Sequence, residues 1–144
     1  MTTAKSYDYL NRLTSISSVP SASSAVNFNY NYNNANQRVQ SALVDGSYWS
    51  YNYDSLGQVT SGKKYWADGT PVAGQQFDYA FDTIGNRGST KTGGDETGAS
   101  QRTASYTNNT LNQITGGDVP GYVDIKGISI ATNTVTVAEL SDDF

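Results

Sequence analysis

A six-residue phrase that recurs along the chain constrains the fold more than any other feature of the sequence. It consists of an acidic or amide residue, any residue, a small or aliphatic residue, Gly or Asn, a polar residue and a strand-type residue. Its five copies begin at Asp8, Asn33, Asp54, Asp82 and Asn109, and the intervals between them are 25, 21, 28 and 27 positions. An internal period of this size indicates a repeat architecture. It favours a scaffold over a protein built around one catalytic pocket.

Each copy of the phrase has the chemistry of a tight turn. Asp or Asn at the first position accepts hydrogen bonds from the backbone just ahead of it. Gly, and after it Asn, best tolerates a positive φ at the fourth position. A type I turn followed by such a residue is a common three-residue hairpin loop. The predicted turn residues are therefore Asp8, Asn11, Asn33, Asn36, Asp54, Gly57, Asp82, Gly85, Asn109 and Asn112.

The third residue of each phrase is the one that we expect to turn toward a common face of the protein. These residues are Leu10, Ala35, Leu56, Ile84 and Leu111. Asp45-Gly46 and Asp68-Gly69, which lie between phrases, are typical of two-residue hairpin turns.

Aromatic and polar residues alternate before the phrases, as in Phe28-Asn29-Tyr30-Asn31-Tyr32. This period of two predicts strands with one buried face. We expect strands near residues 26–33, 37–44, 47–53, 58–67, 73–81, 86–92, 101–107 and 113–115. Intrinsic disorder is the alternative for a chain of mean hydropathy −0.54, but regular aromatic alternation argues against it.

Two stretches interrupt the repeats, and the composition changes at the C-terminal end. Residues 15–25 are rich in Ser and are interpreted as a connection, and residues 93–100 as a loop. The sequence divides into a repeat region, 1–117, and an Ile- and Val-rich segment, 118–144. We expect the second segment to form strands that cap the first or dock elsewhere.

Three of the phrases, with the residue before each, resemble the YD repeat of the RHS family. They are Tyr7-Asp8-Tyr9-Leu10-Asn11-Arg12-Leu13, Tyr53-Asp54-Ser55-Leu56-Gly57-Gln58-Val59 and Phe81-Asp82-Thr83-Ile84-Gly85-Asn86-Arg87. The other two copies replace Asp by Asn, and three copies replace Gly by Asn; both changes are compatible with the turn. The resemblance covers roughly residues 5–115. It implies a long β-sheet strip that spirals, which in large members winds into a shell around a toxin or into the barrel of teneurins. Such shells take many more than five repeats.

The fold class predicted from these observations is all-β. We expect an antiparallel meander of YD-type β-hairpin repeats that forms a curved open sheet or a solenoid-like strip.

The residue types that are missing limit the chemistry. Without His or Cys, most nucleophile–base pairs and transition-metal sites are excluded. We therefore expect no enzyme, no cofactor and no metal site. The weaker alternatives are a carboxylate pair, Asp78 with Asp82, and calcium at Asp95-Glu96 or Asp142-Asp143. Turn geometry and solvated loop charge explain these carboxylates better.

The charge and the hydropathy pattern bear on partners. A net charge of −4 with scattered Lys and Arg argues against nucleic acid. No apolar run approaches the roughly 18 residues of a membrane-spanning helix. The aromatic rows are interpreted as a buried ladder between strands, whereas Trp49 and Trp66 lie outside the phrases and are the candidates for stacking on a sugar.

An open sheet has two edges with unpaired backbone groups, and repeats normally need caps to prevent stacking between copies. No N-terminal cap is visible before the first phrase. We therefore expect a structural protein, extracellular or at the cell surface, that associates with itself through sheet edges, in the extreme case into a filament. The C-terminal segment is a candidate strand donor. The alternatives are a module that binds polysaccharide and a fragment of a toxin-enclosing shell.

Overall fold

The computed structural model, which describes residues 1–118 and residue 134, contains one antiparallel sheet of ten strands paired in chain order. The strands are β1 (Thr2–Tyr7), β2 (Leu13–Val19), β3 (Val26–Tyr32), β4 (Arg38–Leu43), β5 (Tyr48–Tyr53), β6 (Val59–Tyr65), β7 (Pro71–Phe81), β8 (Arg87–Gly93), β9 (Gln101–Asn108) and β10 (Ile114–Gly117). The described residues contain no helix, and the sheet is open, with β1 and β10 at its edges. The predicted all-β meander is confirmed. The segment 118–144 lies, apart from Asp118 and Thr134, outside the described residues.

The N-terminal part is the region where the predicted strands were wrong. β1 was not predicted, and residues 15–19 of the stretch interpreted as a Ser-rich connection belong to β2, which pairs with strands on both sides. The connection is only residues 20–25. Ser and Thr weaken the alternation of apolar and polar residues that marks a strand. They do not prevent strand pairing, because backbone groups make the hydrogen bonds between strands. The first phrase is thus the tip of a complete hairpin.

The two Asp-Gly turns are not two-residue turns. Leu43 N donates to Ser47 O at 2.8 Å and Gly46 N donates to Leu43 O at 3.1 Å, which encloses three loop residues. Only Gly46 has a positive φ, 82°, whereas a type I′ turn needs two such residues. The turn at Asp68-Gly69 has the same pattern between Trp66 and Thr70. These turns are therefore of the same class as the repeat tips.

One face of the sheet carries the aromatic rows and is called here the aromatic face; its rings come from alternate strands, β3, β5 and β7. The strands between them present small residues such as Ser41, Gly62 and Thr90, which are buried. Trp49 lies opposite Ser41, and Tyr51 opposite Gly62. Large rings thus lie beside small neighbours, which lets them pack over the backbone.

The sheet is a single layer, so its described part has almost no enclosed core. Ala104 is the one buried hydrophobic residue in the described region. The aromatic rings are only half-buried, and the prediction of a buried ladder was wrong in that respect. The third residues of the phrases are also exposed, by 51% to 74% for the four Leu and Ile. They project at the tips because no second layer covers them.

Candidate functional site

The meander brings all five repeat tips to the same end of the strands. Successive hairpins turn at alternate strand ends, so the connections between repeats lie at the opposite end. We call the row of tips the tip ladder; its members are the phrases that begin at Asp8, Asn33, Asp54, Asp82 and Asn109. The ten predicted turn residues are therefore assembled in one line along the strip.

Within each tip, the first residue of the phrase organises the turn. Asp8 Oδ1 accepts from the backbone N–H groups of Leu10 at 2.9 Å and of Arg12 at 3.0 Å. Both bonds recur in the other four tips. The fourth residue has a positive φ in every tip, from 59° at Asn11 to 91° at Gly85. Each turn is thus closed by its own side chain and by one left-handed residue.

The first and fifth side chains of a phrase also pair, according to their donor and acceptor types. Asn33 donates to Gln37 Oε1 at 2.7 Å, and Asn109 does the same to Gln113 at 2.9 Å. Where the first residue is Asp, the donor is the fifth residue, as Arg12 is for Asp8 and Asn86 for Asp82. The third tip departs from this rule. Asp54 has no hydrogen to donate, and Gln58 Oε1 is buried without a partner.

Neighbouring tips touch through the fifth residue of one phrase and the fourth residue of the next. Arg12 donates to Asn36 Oδ1 at 3.1 Å, and Asn86 donates to Asn112 Oδ1 at 3.2 Å. Where the fourth residue is Gly, the fifth side chain lies directly over it. A Cβ at Gly57 would be 3.3 Å from Gln37 Nε2, and one at Gly85 would be 3.0 Å from Gln58 Nε2. The contact is therefore repeated at all four junctions of the tip ladder.

A second contact between repeats is made by the residue just before the phrase. Tyr32 donates its hydroxyl to the Leu13 carbonyl at 2.7 Å, and Tyr53 donates to the Arg38 carbonyl at 2.7 Å. Both carbonyls belong to the sixth residue of the preceding phrase. Asn108 makes the same contact to the Arg87 carbonyl at 3.1 Å. At three of the four junctions, the residue before the phrase therefore joins a hairpin to the one before it.

A further turn with Asp at the first position and Gly at the fourth lies at the opposite end of the strands, within residues 93–100, which were predicted to be a loop. Asp95 N donates to Ala99 O at 2.8 Å, and Gly98 has a φ of 80°. Hydrogen bonds from the side chains of Thr97 and Ser100 and from backbone N–H groups lower the pKa of Asp95 to about 2. Its Oδ1 is thus engaged within the turn. The signal that was missed is the spacing of Asp95 and Gly98, which matches the phrase.

The other carboxylates that were weighed for chemistry do not form a pair. Asp78 is bonded to Lys63 at 3.1 Å on the face opposite the aromatic face. Asp82 closes its tip, where the Asn86 side chain and backbone N–H groups lower its pKa. Among the described residues, no group of three acidic side chains is placed to hold a metal ion.

The two candidate sugar contacts occupy different places. Trp49 lies on the aromatic face, where its ring is stacked on Tyr51 at 7° and on Phe77 at 23° between planes. These rings border an open, mostly apolar cleft of about 310 Å³ with Val59, Gly62 and Tyr79. Trp66 begins the turn after β6 and is 49% exposed. The structure therefore does not bring the two Trp rings into one contact.

Comparison with known proteins identifies the fold. No family model and no curated protein matches the chain. Solved structures do match: the crystal structure of TcdB2-TccC3-Cdc42 covers 78% of this chain with a TM-score of 0.65 and 16% identity. That of TcdB2-TccC3-TEV covers 78% with a TM-score of 0.63 and 15% identity. The chain spans 6% of the length of each matched chain. The sheet therefore shares the fold of a part of these two chains.

No helix in the described part of the chain is both long and apolar enough to cross a membrane.

Proposed function

We propose that this chain is a non-enzymatic structural β-sheet protein, extracellular or at a cell surface. It associates with further copies of itself through its sheet edges. The observation that carries the proposal is the tip ladder, whose contacts between hairpins repeat at every junction and continue to both outer strands of the described sheet. Each added hairpin meets the same surface as the one before it, which is the property of an extendable solenoid.

The single-layer architecture supports the same proposal. A sheet with exposed faces and few buried apolar groups stabilises itself chiefly through contacts between adjacent strands. The described residues are arranged in this way, since the main contacts of every strand are with its neighbours along the chain. The likeness to a small part of two much longer chains fits a segment of an RHS-type wall, in which neighbouring repeats would occupy the same edges.

Sedimentation of the purified chain over a range of concentrations, with electron microscopy of the same samples, tests the proposal. We expect species larger than the monomer that grow with concentration. Ala4→Lys adds a charge to β1 and should weaken association, because charge on an edge strand opposes strand addition. Ser23→Lys, in the exposed connection between β2 and β3, is the matched control. A chain that stays monomeric at every concentration contradicts the proposal.

A polysaccharide-binding module is the second candidate, favoured by the stacked rings around the apolar cleft. Flat aromatic surfaces of this kind can stack on the apolar faces of sugar rings. Trp49→Phe should reduce quenching of the fluorescence by a bound polysaccharide, with Trp66→Phe as the comparison. Unchanged fluorescence of the original chain across a panel of polysaccharides argues against this candidate.

A further inference from the structure

The two edges of the sheet carry complementary halves of the contacts that join its hairpins. Tyr7 precedes the first phrase, is 56% exposed and lies on β1, an outer strand of the described sheet. At the other edge, Ile114 is the sixth residue of the last phrase and is 60% exposed. At two junctions in the interior of the sheet, residues at these two positions are joined by a hydrogen bond from Tyr hydroxyl to carbonyl.

The fourth and fifth positions are complementary in the same way. Gln113 uses its Oε1 to accept from Asn109, which leaves its Nε2 hydrogens to donate. Asn11 occupies the fourth position of the first tip, in the same left-handed conformation as Asn36 and Asn112. Those two residues each accept a hydrogen bond from the preceding tip through Oδ1. Asn11 therefore offers the acceptor that matches the donor of Gln113.

The register between repeats is constant through the sheet. At every junction, the residue two places after a phrase lies opposite the residue four places before the next phrase. The four pairs are Ser15 with Asn29, Gln40 with Ser50, Ser61 with Asp78, and Ser89 with Ser105. The same offset, applied across the ends, sets Gly116 opposite Ala4 and Gly117 opposite Thr3. The direction also fits, because β10 leaves its tip as β1 approaches its own, which makes the pair antiparallel.

We propose that β10 of one copy pairs with β1 of a second copy, head to tail, in the register that places Gly117 opposite Thr3. Gln113 then donates to Asn11 of the next copy, and Tyr7 of the next copy donates to the Ile114 carbonyl. Lys5, the one charge in β1, faces no like charge, since the residues of β10 are all uncharged. This inference rests on the proposed function and names its partner, polarity and register. The contact is heterologous, so it extends into a filament or closes into a ring.

The chain has no Cys, so an engineered pair tests the register directly. Thr3→Cys combined with Gly117→Cys should form disulfides between copies on mild oxidation, because opposed Cα atoms in antiparallel strands lie about 4.5–5.5 Å apart. A bond within one copy is excluded, since ten strands separate the two edges by roughly 40 Å. A Cβ at position 117 would lie 3.1 Å from Tyr106 Cδ1, so that ring must shift slightly; Ile16, Ser41 and Thr90 show that the equivalent position accepts a side chain. Ala4→Cys with Gly117→Cys is the slipped control, which puts the thiols on opposite faces.

A ladder of dimers, trimers and larger products for the first pair, and at most a trace for the control, supports the inference. Equal cross-linking of both pairs, or none, in samples that sediment as assemblies overturns the register while the proposed function stands. Samples that sediment as monomers overturn both.

A second variant removes dependence on the engineered thiols. Tyr7→Phe should weaken association about two- to tenfold, as expected for one neutral hydrogen bond. Tyr9→Phe is the matched control, because Tyr9 is 90% exposed in the same tip and occupies no position in the contacts between repeats. Equal association by the two variants contradicts the proposed contact.

Discussion

At the scale of single residues, each position of the phrase has a separate physical task. The first residue accepts two backbone N–H groups, the fourth adopts a left-handed conformation, and the fifth reaches the next tip. The residue before the phrase bonds the carbonyl of the hairpin behind it. Because the tasks differ, substitutions at neighbouring positions should differ in effect.

The fourth hairpin lacks the hydroxyl that joins repeats, since Phe81 stands where Tyr32 and Tyr53 make their hydrogen bonds. Phe81→Tyr should place a hydroxyl at the Val59 carbonyl and raise the free energy of unfolding by about 0.5–1.5 kcal/mol. Urea denaturation, monitored by Trp fluorescence, measures this change in the free energy of unfolding. Tyr53→Phe is the reciprocal change and should lower stability by a similar amount; an effect of the same sign in both variants would refute the explanation.

The third tip leaves an acceptor unpaired, because Gln58 Oε1 is buried without a partner and Asp54 has no hydrogen to donate to it. Asp54→Asn supplies the amide hydrogen found in the Asn33–Gln37 and Asn109–Gln113 pairs. We expect the free energy of unfolding of the variant to equal that of the original chain or to exceed it by up to about 1 kcal/mol. Asp82→Asn is the control. Because Asp82 already accepts a hydrogen bond from Asn86, this variant should be less stable than the original chain. Thermal unfolding of the two variants side by side checks this difference in sign.

At the scale of the hairpin, turn type and strand register depend on each other. Each tip is followed by a register shift on the returning strand, as between Asn52 and Tyr53 against β6. The shift lies directly after the sixth residue of the phrase, whose carbonyl accepts from the next Tyr at two junctions. A change that distorts the left-handed residue should therefore disturb both the hairpin and its junction with the neighbouring repeat.

Gly85 tests this dependence, because its φ of 91° and the nearby Gln58 Nε2 restrict what can replace it. Gly85→Val should lower the free energy of unfolding by about 1–2 kcal/mol, the cost of the left-handed conformation for an ordinary residue. Gly85→Asn should cost less, since Asn36 and Asn112 occupy the same place and accept from the preceding tip. Denaturation midpoints that do not distinguish Val from Asn would contradict the assigned role.

At the scale of the whole molecule, the strip is held together by turns and junctions rather than by an enclosed core. Its stability should consequently respond to conditions that act on many turns at once. Several turn carboxylates share a lowered pKa, including Asp45, Asp68, Asp82 and Asp95, because side-chain and backbone donors stabilise the charged form.

Acid should therefore weaken the strip within a defined range of pH. A carboxyl group whose pKa is lower in the folded state stabilises the fold above its unfolded pKa of about 3.9. That contribution is lost as the pH falls through the folded value, which for Asp95 is about 2. We expect the midpoint of thermal unfolding to decrease between about pH 4 and pH 2. Asp95→Asn keeps an acceptor in the turn and should show a shallower decrease; an identical slope would count against this cause.

The sequence by itself determined the repeat, the residues of the tips and the antiparallel meander. These are local properties: the chemistry of Asp or Asn with Gly or Asn fixes a turn, and alternation fixes a strand face. It missed β1, β2 and the turn at Asp95, where Ser and Thr obscure the pattern or a turn stands outside the period. It was also wrong about the turns at Gly46 and Gly69.

Only the tertiary structure decided how the repeats meet. The bonds from Arg12 to Asn36 and from Tyr32 to the Leu13 carbonyl join residues 24 and 19 positions apart, so no local pattern predicts them. The exposure of Leu10, Leu56, Ile84 and Leu111 was likewise decided there, since an apolar residue is buried only where another layer covers it. In the described residues the sheet has one layer, and its contacts between repeats end at two complementary edges.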